Sequence, residues 1–132
     1  MISLGNTFWA TNPNSNNPPH LFFVLTDPAE NEGHVLLVNM TTRRPGADES
    51  CLLRMGDNPC VTKESVAFYA GAIFPATRML EQAQYTGLFV PAADADLKLI
   101  RRLLEGALSS RHLDPKFLPI VQAQHQRLFP SP

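Results

Sequence analysis

Five consecutive apolar residues, Leu21-Phe22-Phe23-Val24-Leu25, run straight into the stop Thr26-Asp27-Pro28. A run that short, rich in aromatic and β-branched side chains and bounded by turn formers, makes a strand rather than a helix. With no polar position in it, that strand needs apolar cover on both faces. A second apolar run, His34-Val35-Leu36-Leu37-Val38-Asn39-Met40, follows across the polar segment Ala29-Glu30-Asn31-Glu32-Gly33. The two are expected to pair as a hairpin, and the rest of the chain has to cover them.

Three further strands are predicted around this pair. Thr7-Phe8-Trp9-Ala10 is entered from the turn Gly5-Asn6, and Cys51-Leu52-Leu53-Arg54-Met55 is closed by the turn Gly56-Asp57-Asn58-Pro59. In Ser65-Val66-Ala67-Phe68-Tyr69, Val66 and Phe68 share one face and Ala67 and Tyr69 the other. Five short strands at this spacing suggest a small barrel. The densest breaker cluster, Pro13-Asn14-Ser15-Asn16-Asn17-Pro18-Pro19, reads as a loop.

Toward the C-terminus the apolar spacing changes to three and four, the period of a helix. Pro75 suits the first position of a short helix through Gln82. The clearest helix spans about 94–108: Leu97, Ile100, Leu104 and Leu108 form one stripe, widened by Leu99, Leu103 and Ala107. Asp94 and Asp96 suit its N-terminal end, and Arg101 and Arg102 are expected on its wet side. Asp114-Pro115 opens a third helix through His125, which Pro119 either kinks or begins. The last four residues, from Phe129, read as a tail. The expected fold class is therefore mainly β with about three C-terminal helices, α+β.

The whole 132 residues fit one domain, with 44% apolar and 17% charged residues enough to form a core and too few charges for disorder. A net charge of -1 excludes steering of the entire molecule onto a polyanion, so any such site must be local. No apolar run approaches the ~20 residues of a membrane span, and the first residues lack the pattern of a signal peptide. A cytoplasmic location is the expectation. Cys51 and Cys60 are expected as reduced thiols and cannot alone complete a zinc site. A glycine-rich phosphate loop, a nucleophile elbow and a His pair at metal-ligand spacing are all absent from the sequence, so no metal or cofactor is expected.

One constellation has the parts for chemistry. His20 stands where the proline-rich loop enters the most apolar strand, and Thr41-Thr42-Arg43-Arg44 stands at the exit of the next. If those strands pair as a hairpin, the start of one and the end of the other meet at the same edge, which makes His20 and Thr41 neighbours. An imidazole that titrates near neutral pH, hydroxyl donors and guanidiniums that grip phosphate bidentately are the groups phosphodiester cleavage needs. The same residues also fit a solvated turn, and His34, His112 and His125 stand apart as structural or solvent residues. Trp9 is either a base-stacking platform or a core anchor. Asp57 reads as a turn former and Lys63 as a surface charge.

The order of these elements resembles the MazF/PemK-like family of plasmid-maintenance toxins, within the CcdB/MazF-type superfamily. Gly5-Asn6-Thr7-Phe8-Trp9-Ala10 is similar to the family's opening glycine, polar residue and aromatic strand. Residues 21–26 resemble its apolar second strand, and Val35-Leu36-Leu37-Val38-Asn39-Met40-Thr41-Thr42 its strand ending in Thr-Ser or Thr-Thr. Lys63-Glu64-Ser65-Val66-Ala67 resembles the turn before its last long strand, and Gly87-Leu88 with the helix from Asp94 its ending. The likeness covers roughly residues 5–108, with 109–132 as a C-terminal helical extension. It implies a small SH3-like barrel, a homodimer, a neutralising antitoxin protein, and metal-independent endoribonuclease activity on single-stranded RNA.

Carried over by position, the family's arginine before the second strand is His20 and its threonine after the third is Thr41. The family's Arg-Pro pair is His20-Leu21 here, so a fixed charge is replaced by an imidazole. The resemblance thus implies His20 as acid/base and Thr41 as the phosphate-directed hydroxyl, with Thr42, Arg43, Arg44 and Trp9 binding substrate. Arg43 is the expected electrostatic clamp. The alternative is a non-catalytic protein-binding or regulatory module on the same fold, contacting its partner through residues 11–20 and the helix at 94–108.

Overall fold

The computed structural model describes residues 1–11 and 16–132. Six strands, β1 (Thr7–Ala10), β2 (His20–Val24), β3 (Leu37–Thr42), β4 (Leu52–Leu53), β5 (Ser65–Ile73) and β6 (Phe89–Pro91), make one antiparallel sheet in the order β4-β5-β3-β2-β1-β6. With α1 (Thr77–Tyr85), α2 (Leu97–Ser109) and α3 (Leu118–Leu128) this is a fold of mixed α+β class, its helices following the first five strands. Strand pairing ends at β4 on one side and β6 on the other.

β2 and β3 lie at the centre, and their neighbouring residues alternate between two cores as strand geometry requires. Leu21, Phe23, Leu36 and Val38 enter the larger core, closed by Leu99, Ile100, Leu103 and Leu104 of α2 and Val121 of α3. Phe22, Val24, Val35 and Leu37 enter the smaller one, closed by Ile2, Phe8, Phe89 and Leu80 of α1. Both faces are covered, which accounts for the absence of a polar residue between 21 and 25. Leu21, Phe23, Val24 and Leu25 are each fully buried, contributing roughly 1.5–3 kcal/mol apiece. In β5, Ala67 and Tyr69 face the larger core, whereas Phe68 on the other face is exposed.

Several boundaries differ from expectation, each for a local reason. β3 starts at Leu37, not His34, because the preceding backbone is bonded elsewhere: the Leu36 N–H donates to the Thr26 hydroxyl at 2.9 Å and the Val35 N–H to the Pro75 carbonyl. β4 shrinks to two residues because Asp57 accepts from the Arg54 N–H at 2.8 Å and turns the chain. β6 is additional to the five strands expected from the sequence. It is three residues long and ends in Pro91, and a proline is tolerated at a sheet edge where its missing N–H is not needed.

The helix starts also shift. Ala76 caps α1, leaving Pro75 outside it. Asp96 caps α2, accepting from the Leu99 N–H at 2.8 Å, while Asp94 accepts from Asn6. Leu97 is not part of the buried stripe but 57% exposed at the first turn. Asp114 caps only a 3-10 turn (Pro115–Phe117), and Pro119 sits in the first turn of α3, where it costs no hydrogen bond and makes no kink. The C-terminal segment is part of the core: Phe117 and Val121 are buried in it, and Gln124 accepts from the Asp27 N–H at 2.8 Å. Phe129, expected in a loose tail, packs on His125 and beneath Arg101. The apolar face of α2 is occupied by the sheet and α3, so it is not free to meet a partner. Arg101 is exposed as expected, and Arg102, partly exposed, has a structural role besides. It donates to the Leu52 carbonyl and pairs with Asp57 at 2.9 Å, tying β4 to α2.

Of the breaker cluster at 13–19, residues 13–15 lie outside the described residues; 16–19 carry no regular structure. Cys51 and Cys60 are free thiols, and burial pushes the Cys51 thiol above its ordinary value. Among the described residues, no helix is long and apolar enough to cross a membrane.

Candidate functional site

The central strands stay together only part of their length. β2 pairs with β3 through Phe22↔Asn39, where that pairing ends. Beyond it, His20 and Leu21 remain bonded to Ala10 and Trp9 of β1, while Thr41 and Thr42 remain bonded to Val66 and Ser65 of β5. The two strands therefore part toward one edge of the sheet. Extending the Phe22↔Asn39 register by two residues sets His20 across from Thr41.

A hollow of about 480 Å³ occupies this edge. His20, Thr41, Thr42, Arg44 and Trp9 all line it, together with Pro18 and Pro19 on one side and Cys60, Thr62 and Lys63 on the other. Its volume lies within the ~300–1,000 Å³ of small-ligand pockets. His20 is exposed at the start of β2, and Thr41 and Thr42 are half-buried at the end of β3. Trp9 packs against the larger core, as a core anchor does, and also lines the hollow.

Arg43 is placed differently. Its Nε donates to Glu49 at 2.6 Å and its Nη1 to Glu64 at 2.9 Å, and it is not among the residues lining the hollow. These carboxylates hold the Arg43 guanidinium above its ordinary pKa, and Arg43 in turn holds the Glu49 carboxyl low. The expected clamp is thus engaged by the protein itself. Strand alternation explains the split. Thr42 pairs with Ser65, and the Arg43 N–H donates to the Glu64 carbonyl, which continues the register by one residue. Arg43 and Glu64 then share one face, and Arg44 and Lys63 stand one residue beyond them, outside the paired strands.

Lys63, expected to be a plain surface charge, lines the hollow. The signal that finds it is the β3–β5 register, which spacing alone does not supply. The described lining includes Arg44, Lys63 and the His20 imidazole and no carboxylate. Among the described residues no ion pair uses Arg44 or Lys63. Anions are therefore the ligands this hollow favours, although the chain as a whole is nearly neutral.

Elsewhere, His34 stacks on Phe74, His125 pairs with Glu105 at 3.0 Å, and His112 is exposed. Asp57 turns the chain as expected and also anchors Arg102. Comparison with protein-family models and with curated protein sequences finds no match to this chain.

Proposed function

We propose that this protein is a MazF/PemK-like endoribonuclease on a small SH3-like barrel, cleaving single-stranded RNA without metal. The observation that carries the reading is that His20 and Thr41, twenty-one positions apart in sequence, line the same hollow.

In the proposed reaction the RNA 2′-oxygen attacks its own 3′-phosphorus as the bond from phosphorus to the 5′-oxygen breaks. The products are a 2′,3′-cyclic phosphate and a 5′-hydroxyl. His20 takes the 2′-hydroxyl proton, and water supplies a proton to the leaving oxygen. General acid–base help of this kind is worth about 10²–10⁴-fold. Thr41 and Thr42 donate hydrogen bonds to the phosphate oxygens, where charge builds in the transition state. Trp9 offers a ring on which a base stacks. In this reading the protein acts as a cytoplasmic homodimer and is neutralised by an antitoxin protein.

Cleavage of single-stranded RNA in the presence of a chelator tests the proposal. Wild-type protein is expected to cut and leave cyclic phosphate ends, and H20A and T41A are each expected to lose the activity. Cutting that persists in both variants, or that stops on adding chelator, contradicts it.

A second reading is a non-catalytic protein-binding module on the same fold. It is supported by Met79, Tyr85, Leu88 and Val90, apolar residues around α1 and β6 that are exposed. A protein that cleaves no RNA yet forms a stable complex lost in Y85A would favour it.

A further inference from the structure

We infer that Lys63 and Arg44, and not Arg43, hold the phosphates of a single-stranded RNA in this hollow. The inference rests on the reading of the hollow as an RNA site and names the groups that supply its charge.

Three observations converge. Arg43 sits between Glu49 and Glu64, and Glu64 also pairs with Arg54, so the charge of Arg43 is already balanced within the protein. Arg44 and Lys63 line the hollow, are exposed, and have no ion pair among the described residues. Both stand close to the Thr42↔Ser65 pair that ends the β3–β5 pairing, Arg44 two residues after Thr42 and Lys63 two before Ser65. Their charges therefore add at one place instead of being spread over the surface.

The two cations suit different tasks. A guanidinium grips two phosphate oxygens through its planar fork, whereas an ammonium is a compact charge on a flexible stem that follows a moving phosphate. An imidazole at position 20 lacks a fixed charge, and Lys63 with Arg44 supplies one beside it. Lys63 comes from the connection before β5, so the site draws its acid–base group, its hydroxyls and its charge from both sides of the gap between β2 and β3.

The salt dependence of RNA binding reads this directly, because each phosphate neutralised on a single strand releases counterions and contributes about 0.7 to the slope of log K against log salt. The full-length protein would be titrated with a fluorescent single-stranded RNA carrying 2′-O-methyl groups, which removes the attacking hydroxyl. K63Q and R44Q are each expected to lower the slope by about 0.7, which corresponds to a loss of affinity between 50 and 200 mM salt that is ~2.6-fold smaller than wild type's. K63R and R43Q are expected to keep the wild-type slope. If R43Q lowers the slope while K63Q and R44Q keep it, the assignment is overturned and the RNA reading stands. If the wild-type protein shows no salt-dependent binding, both fail.

Discussion

Gly106 shows how one missing methyl group holds α2 against the sheet. A Cβ there would overlap the Tyr69 hydroxyl and lie 2.8 Å from Cys51 Cβ and 3.0 Å from the Ser50 carbonyl. Alanine improves helix propensity by ~1 kcal/mol, but crowding a packed interface costs about 1–3 kcal/mol. The backbone carbonyl cannot swing aside, so G106A is expected to lower the urea midpoint; an unchanged or raised midpoint would count against this packing. Thr26 makes a comparable point with a hydroxyl. T26V leaves the buried Leu36 N–H without its acceptor, and a loss of about 1–3 kcal/mol is expected in the same assay. Asp48 supplies a pH signature. Burial pushes its carboxyl up, but hydrogen bonds from Ser110 and Ser50 outweigh that and hold it below its ordinary 3.8. A carboxylate held low when folded adds stability that is complete above the unfolded value and lost as pH falls through the folded one. The urea midpoint is therefore expected to drop below about pH 4, and less steeply in D48N than in wild type. His20 and Thr41 could be picked out in the sequence because each ends or begins a strand that apolar patterning already marks. Lys63 could not, because its place depends on which residue of β5 faces which of β3.

Elements were legible in proportion to the strength of their patterns. β2 announces itself through uninterrupted apolar residues, and α2 through a stripe repeated over thirteen residues. β6 has three residues and borrows its conformation from β1, so local sequence carries little trace of it. The segment after α2 carries the helix expected there. It reads as an extension because the family resemblance stops near residue 108, yet Phe117, Val121 and Gln124 complete a surface that α2 alone cannot bury. A chain ending at Ser110 is therefore expected to lose cooperative thermal unfolding. A truncated protein melting at the full-length midpoint would show that α3 is dispensable. At the other end of α2, D96A removes the acceptor for the Leu99 N–H, and a loss of about 1 kcal/mol is expected from the cap alone.

At the scale of the whole molecule, two cores on opposite faces fix the central strands, and the parting of those strands at one edge makes the hollow. The sheet's antiparallel pairing was readable from the hairpin pattern, whereas its order and the gap at its edge arise from long-range pairing that no local pattern encodes. A chain of net charge -1 concentrates Arg44, Lys63 and His20 around that gap, as a local polyanion site requires. In the proposed function His20 and Thr41 act as one unit on one phosphate. The most direct test is a double-mutant cycle on kcat/KM for RNA cleavage in chelator, comparing wild type, H20A, T41A and the double variant. Groups that act together are non-additive: each single variant is expected to lose at least about 10²-fold, with little further loss in the double. Losses that multiply, or a single variant with wild-type activity, would contradict it.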